Sequence, residues 1–163
     1  MKGKSRIVKT LKGLSQPLKN ARGLTLIEIM VVITILGSIA ALVGVNVLNS
    51  LHEANVKTSQ IQISNFEAAL DEFRRDNGNY PTTEQGIQAL VQKPTSGRES
   101  KNWREGGYLK KKELPLDPWK NPYVYYSPGT HGDNEYEIMS YGRDGKEGGT
   151  GKEEDINSWE VNK

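Results

Sequence analysis

The sequence predicts an α+β fold built from one long N-terminal helix, a short second helix and a small antiparallel sheet. Three observations lead to this fold class. A long apolar run continues without a proline into an amphipathic helical pattern, a short capped segment follows, and two runs of β-forming residues come later. The length of 163 residues suits a single domain.

The apolar run covers residues 24–48 and is long enough to cross a bilayer, which takes about 20 residues. Seven of the 22 basic residues and none of the 20 acidic ones lie in residues 1–23. By the positive-inside rule, this basic segment stays in the cytoplasm and residues 49–163 lie across the membrane. Because the remaining chain is net acidic, the sequence argues against nucleic-acid binding.

A cleaved secretory signal is the alternative for this segment, since such a signal is cut after its apolar region at small residues such as Ser38-Ile39-Ala40. The helical pattern continues past that point, however. Apolar side chains recur on one helical face at Val56, Ile61, Ile63, Phe66, Ala69, Leu70 and Phe73. We therefore expect one helix from about Leu24 to about Asp76, its first half in lipid and its second half amphipathic.

Turn residues end this helix and a short capped helix follows. Gly78 and Pro81 stop the first helix. Thr82 and Gln85 have the spacing of a capping box, which predicts a short helix over residues 87–91.

The predicted sheet comes from two segments, Tyr123–Ser127 and Tyr136–Tyr141, which are rich in β-forming residues and bounded by turn residues. Tyr108–Leu114 is a candidate for a third element, although its three lysines count against a strand. Residues 95–107 are polar and glycine-containing, which predicts a loop.

The sequence shows no catalytic pattern, and we expect no enzyme. It has no Ser-His-Asp order, phosphate-binding loop or zinc-ligand spacing. His52 and His131 are expected to be solvated. The chain also has no cysteine, so its loops must close by packing or by a metal.

Directly before the apolar run, residues 22–28 read RGLTLIE and resemble the prepilin signature of the type IV pilin-like superfamily. The resemblance implies that a prepilin peptidase cuts between Gly23 and Leu24 and methylates the new amino group of Leu24. Leucine stands where this superfamily usually has phenylalanine, and no proline lies near Val45, where most relatives have one. The implied organisation is a removed leader (1–23), a membrane-spanning half-helix (24–48) and a periplasmic domain (49–163).

Glu28 is an acid inside a lipid-facing segment, which costs roughly 2.5–3.5 kcal/mol on insertion scales. One interpretation is that it lies near the interface and reaches headgroup water. The resemblance implies a second role, in which Glu28 pairs with the Leu24 ammonium of a neighbouring subunit and the pair offsets both desolvation costs.

Three later segments resemble the major pseudopilins of type II secretion: YPTTEQG at 80–86, LDPWKNPY at 116–123 and SPGTHG at 127–132. The resemblance implies a structural subunit of a homo-oligomeric filament, which grows from the inner membrane and helps drive folded proteins through an outer-membrane secretin. Its implied partners are the prepilin peptidase, the minor pseudopilins and an inner-membrane assembly platform. Its implied location is the inner membrane, crossed once, with the domain in the periplasm. A type IV pilin and a signal-anchored calcium-dependent enzyme or binding module are the rival interpretations.

The last motif, residues 141–155, is a glycine-rich acidic loop that reads YGRDGKEGGTGKEED. Calcium prefers six to eight oxygens from carboxylates and backbone carbonyls. Asp144 and Asp155 have the spacing of EF-hand positions 1 and 12, but Lys146 and Gly148 stand where an EF-hand needs oxygen side chains, so the loop is not an EF-hand. A solvated acidic loop fits the composition as well. The resemblance implies a Ca²⁺ site with Asp144 and Asp155 as ligands, and with Glu154 and the backbone carbonyl of Tyr141 as plausible further ligands.

Overall fold

The structure, a computed structural model, describes residues 23–161; residues 1–22 of the predicted leader and the last two residues lie outside this range. Its elements in chain order are helix α1 (Leu26–Asn77), a 3₁₀ helix (Ile87–Leu90), strand β1 (Val124–Tyr126), strand β2 (Glu137–Ser140), a second 3₁₀ helix (Gly151–Glu153), strand β3 (Ile156–Asn157) and helix α2 (Ser158–Val161). The chain forms two compact units, one up to Val43 and one from Gly44 onward.

In the first unit, α1 carries exposed aliphatic side chains on all sides, and every described residue up to Val43 is exposed. By length and composition, α1 qualifies as a membrane-crossing helix. Two hydroxyl groups in this stretch are satisfied by the helix itself. Thr34 donates to the Met30 carbonyl over 2.7 Å, and Ser38 donates to the Thr34 carbonyl over 2.9 Å. Because these hydroxyls need no water, the segment suits a lipid environment.

In the second unit, α1 turns an apolar stripe toward the core, as the helical spacing predicts. The side chains buried along this stripe are Ile63, Phe66, Ala69, Leu70 and Phe73. Placing Ile61 on the same stripe was wrong, because Ile61 is 56% exposed. Two residues correspond to about 200° around a helix, so Ile61 and Ile63 cannot share a face.

The sheet has three antiparallel strands in the order β1-β2-β3. Tyr125 pairs with Ile138 between β1 and β2, and Ser140 pairs with Ile156 between β2 and β3. The two predicted strands are confirmed in shorter form, while the third strand follows the acidic loop.

The segment Tyr108–Leu114 forms bends instead of a strand, so its candidacy as the third element was wrong. Gly106 and Gly107 precede it at φ of +96° and +84°, which breaks an extended backbone. Its one buried side chain is that of Tyr108, whose ring packs against Phe73 with centroids 5.2 Å apart.

The predicted capping box is present, but the helix after it is a 3₁₀ helix of four residues. The Thr82 N–H donates to Gln85 Oε1 over 3.1 Å, and the Gln85 N–H donates to Thr82 Oγ1 over 3.3 Å. Gly86 then adopts φ +60° and ψ −178°, a conformation that an α-helix cannot include. The capped turn therefore ends at Gly86, and the 3₁₀ helix begins at Ile87.

Aromatic side chains join α1 to the sheet. The Tyr123 ring meets Phe66 edge to face at 5.1 Å, and the Tyr123 hydroxyl is 3.2 Å from Ser59 Oγ. The Tyr125 hydroxyl donates to the buried Pro81 carbonyl over 2.8 Å. These contacts fix the sheet and the segment after α1 against the helix.

Candidate functional site

The amino-terminal site begins with Gly23 and Leu24, which are exposed and lie just before α1. Thr25 acts as the N-cap, since its hydroxyl accepts the Glu28 N–H over 3.3 Å. In return, Glu28 Oε2 accepts both the Thr25 N–H and the Thr25 hydroxyl, each over 2.9 Å. The predicted cleavage point is thus followed at once by a helix start that holds the Glu28 carboxylate against Thr25.

The Glu28 carboxylate therefore has partners within its own chain, which our sequence analysis missed. The signal was available, because Thr25 and Glu28 have the same Thr-x-x-Glu/Gln spacing as the recognised pair Thr82 and Gln85. A carboxylate offers about four acceptor positions, so two bonds to Thr25 leave room for a charged donor.

The C-terminal loop brings acidic groups together. Asp155 Oδ2 accepts the Gly148 N–H over 2.8 Å, and Asp144 Oδ1 accepts the Lys146 N–H over 3.2 Å. Burial raises the pKa of the Asp155 carboxyl, the Gly148 bond lowers it, and the negative charges of Asp144 and Glu147 raise it further. Glu147, which the sequence analysis did not count as a ligand, is close enough for its charge to act on Asp155.

One atom in this loop makes the loop fit a cation. Asp155 Oδ1 is buried and has no hydrogen-bond partner among the described residues. A buried carboxylate oxygen without a donor is unfavourable unless a cation satisfies it. The Tyr141 carbonyl, another predicted ligand, accepts the Gly145 N–H over 3.2 Å and keeps a second lone pair.

Side chains alone do not complete a metal site. The described part of the chain holds no group of three or more His, Asp or Glu side chains arranged around one point. The Glu154 side chain is exposed and lines a groove beside α1 with His52 and Asp155. A calcium ion here would therefore take most of its oxygens from Asp144, Asp155, backbone carbonyls and water, which matches its preference.

The loop is tied to the rest of the second unit at both ends. Asn121 Nδ2 donates to the Gly142 carbonyl over 2.8 Å. Lys152 Nζ donates to Asn49 Oδ1 on α1 over 2.6 Å. Ordering or disordering of the loop would thus affect its contact with the part of α1 that follows the apolar segment.

A buried carboxylate organises the SPGTHG segment. Glu137 on β2 is fully buried and accepts the Thr130 hydroxyl over 2.8 Å and the His131 N–H. His131 Nδ1 lies 3.2 Å from Glu137 Oε2, and its ring stacks on Trp159 at 4.5 Å. The expectation that His131 is simply solvated was therefore incomplete, because the residue bridges β2 and α2.

Comparison with known proteins identifies the family. The model for Type II secretion system protein G matches residues 46–159, and the model for the prokaryotic N-terminal methylation motif matches residues 18–44. A Pseudomonas aeruginosa protein named Type II secretion system core protein G is 50% identical over 138 residues, which cover 85% of this chain and 94% of that protein.

This chain belongs to the type II secretion system protein G family. The Vibrio cholerae core protein G is 44% identical over 144 residues, covering 88% of this chain and 95% of that protein. A crystal structure of the major pseudopilin from the type 2 secretion system of enterohaemorrhagic Escherichia coli superposes with a TM-score of 0.60 at 38% identity. The superposed region covers 69% of this chain and 88% of the Escherichia coli chain.

Membership of the protein G family confirms the central predictions. The chain is a structural subunit of the pseudopilus in type II secretion and is not an enzyme. The predicted α+β pilin-like fold is confirmed by the same crystal structure. As a family member, the chain assembles with other pseudopilus components and is anchored in a membrane.

Proposed function

We propose that this protein G subunit is cut between Gly23 and Leu24, methylated on the new Leu24 amino group, and then polymerised through its exposed apolar half-helix. A match to the N-terminal methylation model over residues 18–44 supports this processing. So does the position of the cut, because Gly23 and Leu24 are exposed and precede the first turn of α1. A prepilin peptidase in the inner membrane is the processing partner.

The observation that carries the assembly proposal is the position of Glu28. It is the one acid among the exposed aliphatic side chains of residues 24–48, and it becomes the fifth residue of the processed chain. Among residues 23–161, its carboxylate accepts hydrogen bonds only from the neutral donors of Thr25. In a medium of low dielectric, the methylated ammonium of a neighbouring Leu24 would attract it strongly, and each charge would offset the desolvation of the other.

The test is secretion and sheared filament yield in a strain that makes only a Glu28→Ala subunit. Because the substitution makes the segment more apolar, insertion and cleavage should persist while filament yield falls at least tenfold. Glu53→Ala removes an exposed acid farther along the same helix and should leave filaments unchanged. Normal filaments from Glu28→Ala cells would contradict the pairing.

The C-terminal loop, in our proposal, binds Ca²⁺ through Asp144 and Asp155, with the Tyr141 carbonyl and Glu154 or Glu147 as further oxygens. The buried, unpartnered Asp155 Oδ1 supports this assignment. Bound calcium would supply positive charge to a loop that otherwise brings carboxylates together, and it would do the stapling that a chain without cysteine lacks.

The remaining proposal concerns location and partners. The basic leader would stay in the cytoplasm, and residues 49–163 would lie in the periplasm. There the subunits would form a filament with the minor pseudopilins on an inner-membrane platform and help drive folded proteins through the secretin. The leader carries basic residues and no acid, which supports this orientation.

A further inference from the structure

A rigid turn between residues 116 and 121, the 116–121 turn, is held by a buried aspartate. Asp117 is 4% exposed, and its Oδ1 accepts the N–H groups of Trp119 over 3.0 Å and Asn121 over 2.7 Å. Its Oδ2 accepts the Ser140 hydroxyl over 2.7 Å. The turn is therefore fixed to β2 and presents its remaining side chains in a defined direction.

The side chains on this turn combine an aliphatic group, an indole and an ammonium. Leu116 is 55% exposed, Trp119 is half-buried, and Lys120 is exposed. The backbone of Lys120 has a φ of +74°. A non-glycine residue in the left-handed region shows that the fold enforces this geometry. Tryptophan and lysine are enriched where proteins meet the membrane–water interface, because each has an apolar body and a polar end.

The turn lies beside the part of α1 that leaves the apolar segment. The Trp119 and His52 rings have centroids 6.3 Å apart. His52 follows Leu48 by four residues, which is about 6 Å along a helix axis. The headgroup layer on each side of the hydrocarbon core is about 5–8 Å thick, so His52 lies at headgroup depth when Leu48 ends the span, and Trp119 lies next to it. Lys152 reaches the same level through its bond to Asn49.

We propose that the 116–121 turn and Lys152 form a peripheral anchor that rests on the outer surface of the bilayer crossed by α1. Leu116 and Trp119 enter the headgroup region, and Lys120 and Lys152 reach the lipid phosphates. The partner is a phospholipid bilayer surface. The inference rests on the proposed membrane span ending at Leu48.

Charges near the anchor determine which lipids it needs. Glu53 follows His52 on α1, and Glu153 follows Lys152, so acidic side chains accompany the two lysines. The local charge is therefore mixed, and attraction comes mainly from Leu116 and Trp119. We expect the anchor to form on zwitterionic phosphatidylcholine and to change little when phosphatidylglycerol is added.

The chain's lack of cysteine allows a direct depth measurement. The full chain carrying Leu116→Cys, labelled with an environment-sensitive fluorophore, is placed at one copy per phosphatidylcholine nanodisc with nitroxide lipids as quenchers. The control is Lys101→Cys, at an exposed site. This control position is far from the proposed membrane surface. The next residue, Asn102, donates a hydrogen bond to the Asp76 carbonyl, and Asp76 lies 24 residues, or about 36 Å, along α1 from His52. Quenching at position 116 should exceed that at position 101 by at least threefold.

Each other outcome overturns the anchor in a recognisable way. Equal quenching at 116 and 101 would show that the turn stays in water. Quenching at 116 that appears only with two copies per disc would show that a single chain does not rest its turn on the bilayer. A label at Val43→Cys reports on the span itself. Quenching of the label at position 43 without quenching at position 116 overturns the anchor alone. No quenching at position 43 overturns both the span and the anchor.

Discussion

Replacing Glu137 by Gln should destabilise the folded domain, because this carboxylate is fully buried in its charged form. Burial by itself raises the pKa of Glu137. The hydrogen bonds from Thr130 and His131 outweigh burial and lower the pKa from 4.5 to about 2. The Glu137→Gln side chain would keep the shape of the original but would turn an NH₂ group toward donors that need an acceptor.

The size of the effect follows from the shift in the pKa. A fall from 4.5 to about 2, at 1.36 kcal/mol per pH unit, corresponds to about 3 kcal/mol of unfolding free energy. Since the folded pKa lies below the unfolded one, this stabilisation is complete above about pH 4.5 and is lost as the pH falls toward 2. More than half of it should be gone at about pH 3.

Urea unfolding of the detergent-solubilised chain measures this difference, because Trp103, Trp119 and Trp159 all lie in the second unit. Glu135→Gln is the matched control, since Glu135 makes an exposed ion pair with Arg74 at 2.6 Å. Such a pair contributes at most about 1 kcal/mol. Equal losses for the two variants at pH 7, or a difference that grows at pH 3, would refute the reasoning.

Two further predictions concern the loops. Millimolar calcium should raise the melting temperature above the value measured in chelator or in magnesium. At a hundredfold excess of calcium over Kd, binding adds about 2.7 kcal/mol to the free energy of unfolding. Asp155→Asn should remove most of this rise, whereas the exposed control Glu99→Gln should keep it. Equal melting temperatures of the wild type in calcium and in chelator would show that the loop is a solvated acidic loop without a calcium site. Gly107→Ala should destabilise the domain more than Gly106→Ala in the same urea assay. Both glycines have positive φ, but only a Cβ at Gly107 would meet the Leu90 carbonyl oxygen, at 2.7 Å; equal losses would show that the clash is relieved.

The long helix was predictable because its signals are long and redundant. An apolar span, a continuous stripe and the absence of proline all agree over more than fifty residues. The bounds of α1 differ from the prediction by two residues at the start and one at the end. The capping box at Thr82 and Gln85 was equally readable, because its chemistry is local.

The rest depends on contacts that a sequence pattern does not encode. Strand β3 has only two residues, and its pairing with β2 exists because the acidic loop folds back. All four residues of β2 are buried, so alternation could not reveal that Glu137 points into the domain. The conformation of Gly86 likewise decides between an α-helix and a 3₁₀ helix without a signal in composition.

In the acidic loop, Asp144 and Asp155 were predicted as ligands from family resemblance, since their spacing and the composition alone left a solvated loop equally open. Only the folded structure shows that the charge of Glu147 acts on Asp155, and that one Asp155 oxygen is buried without a donor among the described residues. The Thr25 cap on Glu28 is a different case, since its spacing was visible and was overlooked.

The most direct test of processing before assembly is the intact mass of the subunit in filaments sheared from cells. We expect the mass of residues 24–163 plus one methyl group, because we propose that the chain is cut between Gly23 and Leu24 and methylated before it assembles. A filament subunit that keeps its leader, or whose mature chain begins at Ala41 after an ordinary signal cleavage, would contradict it.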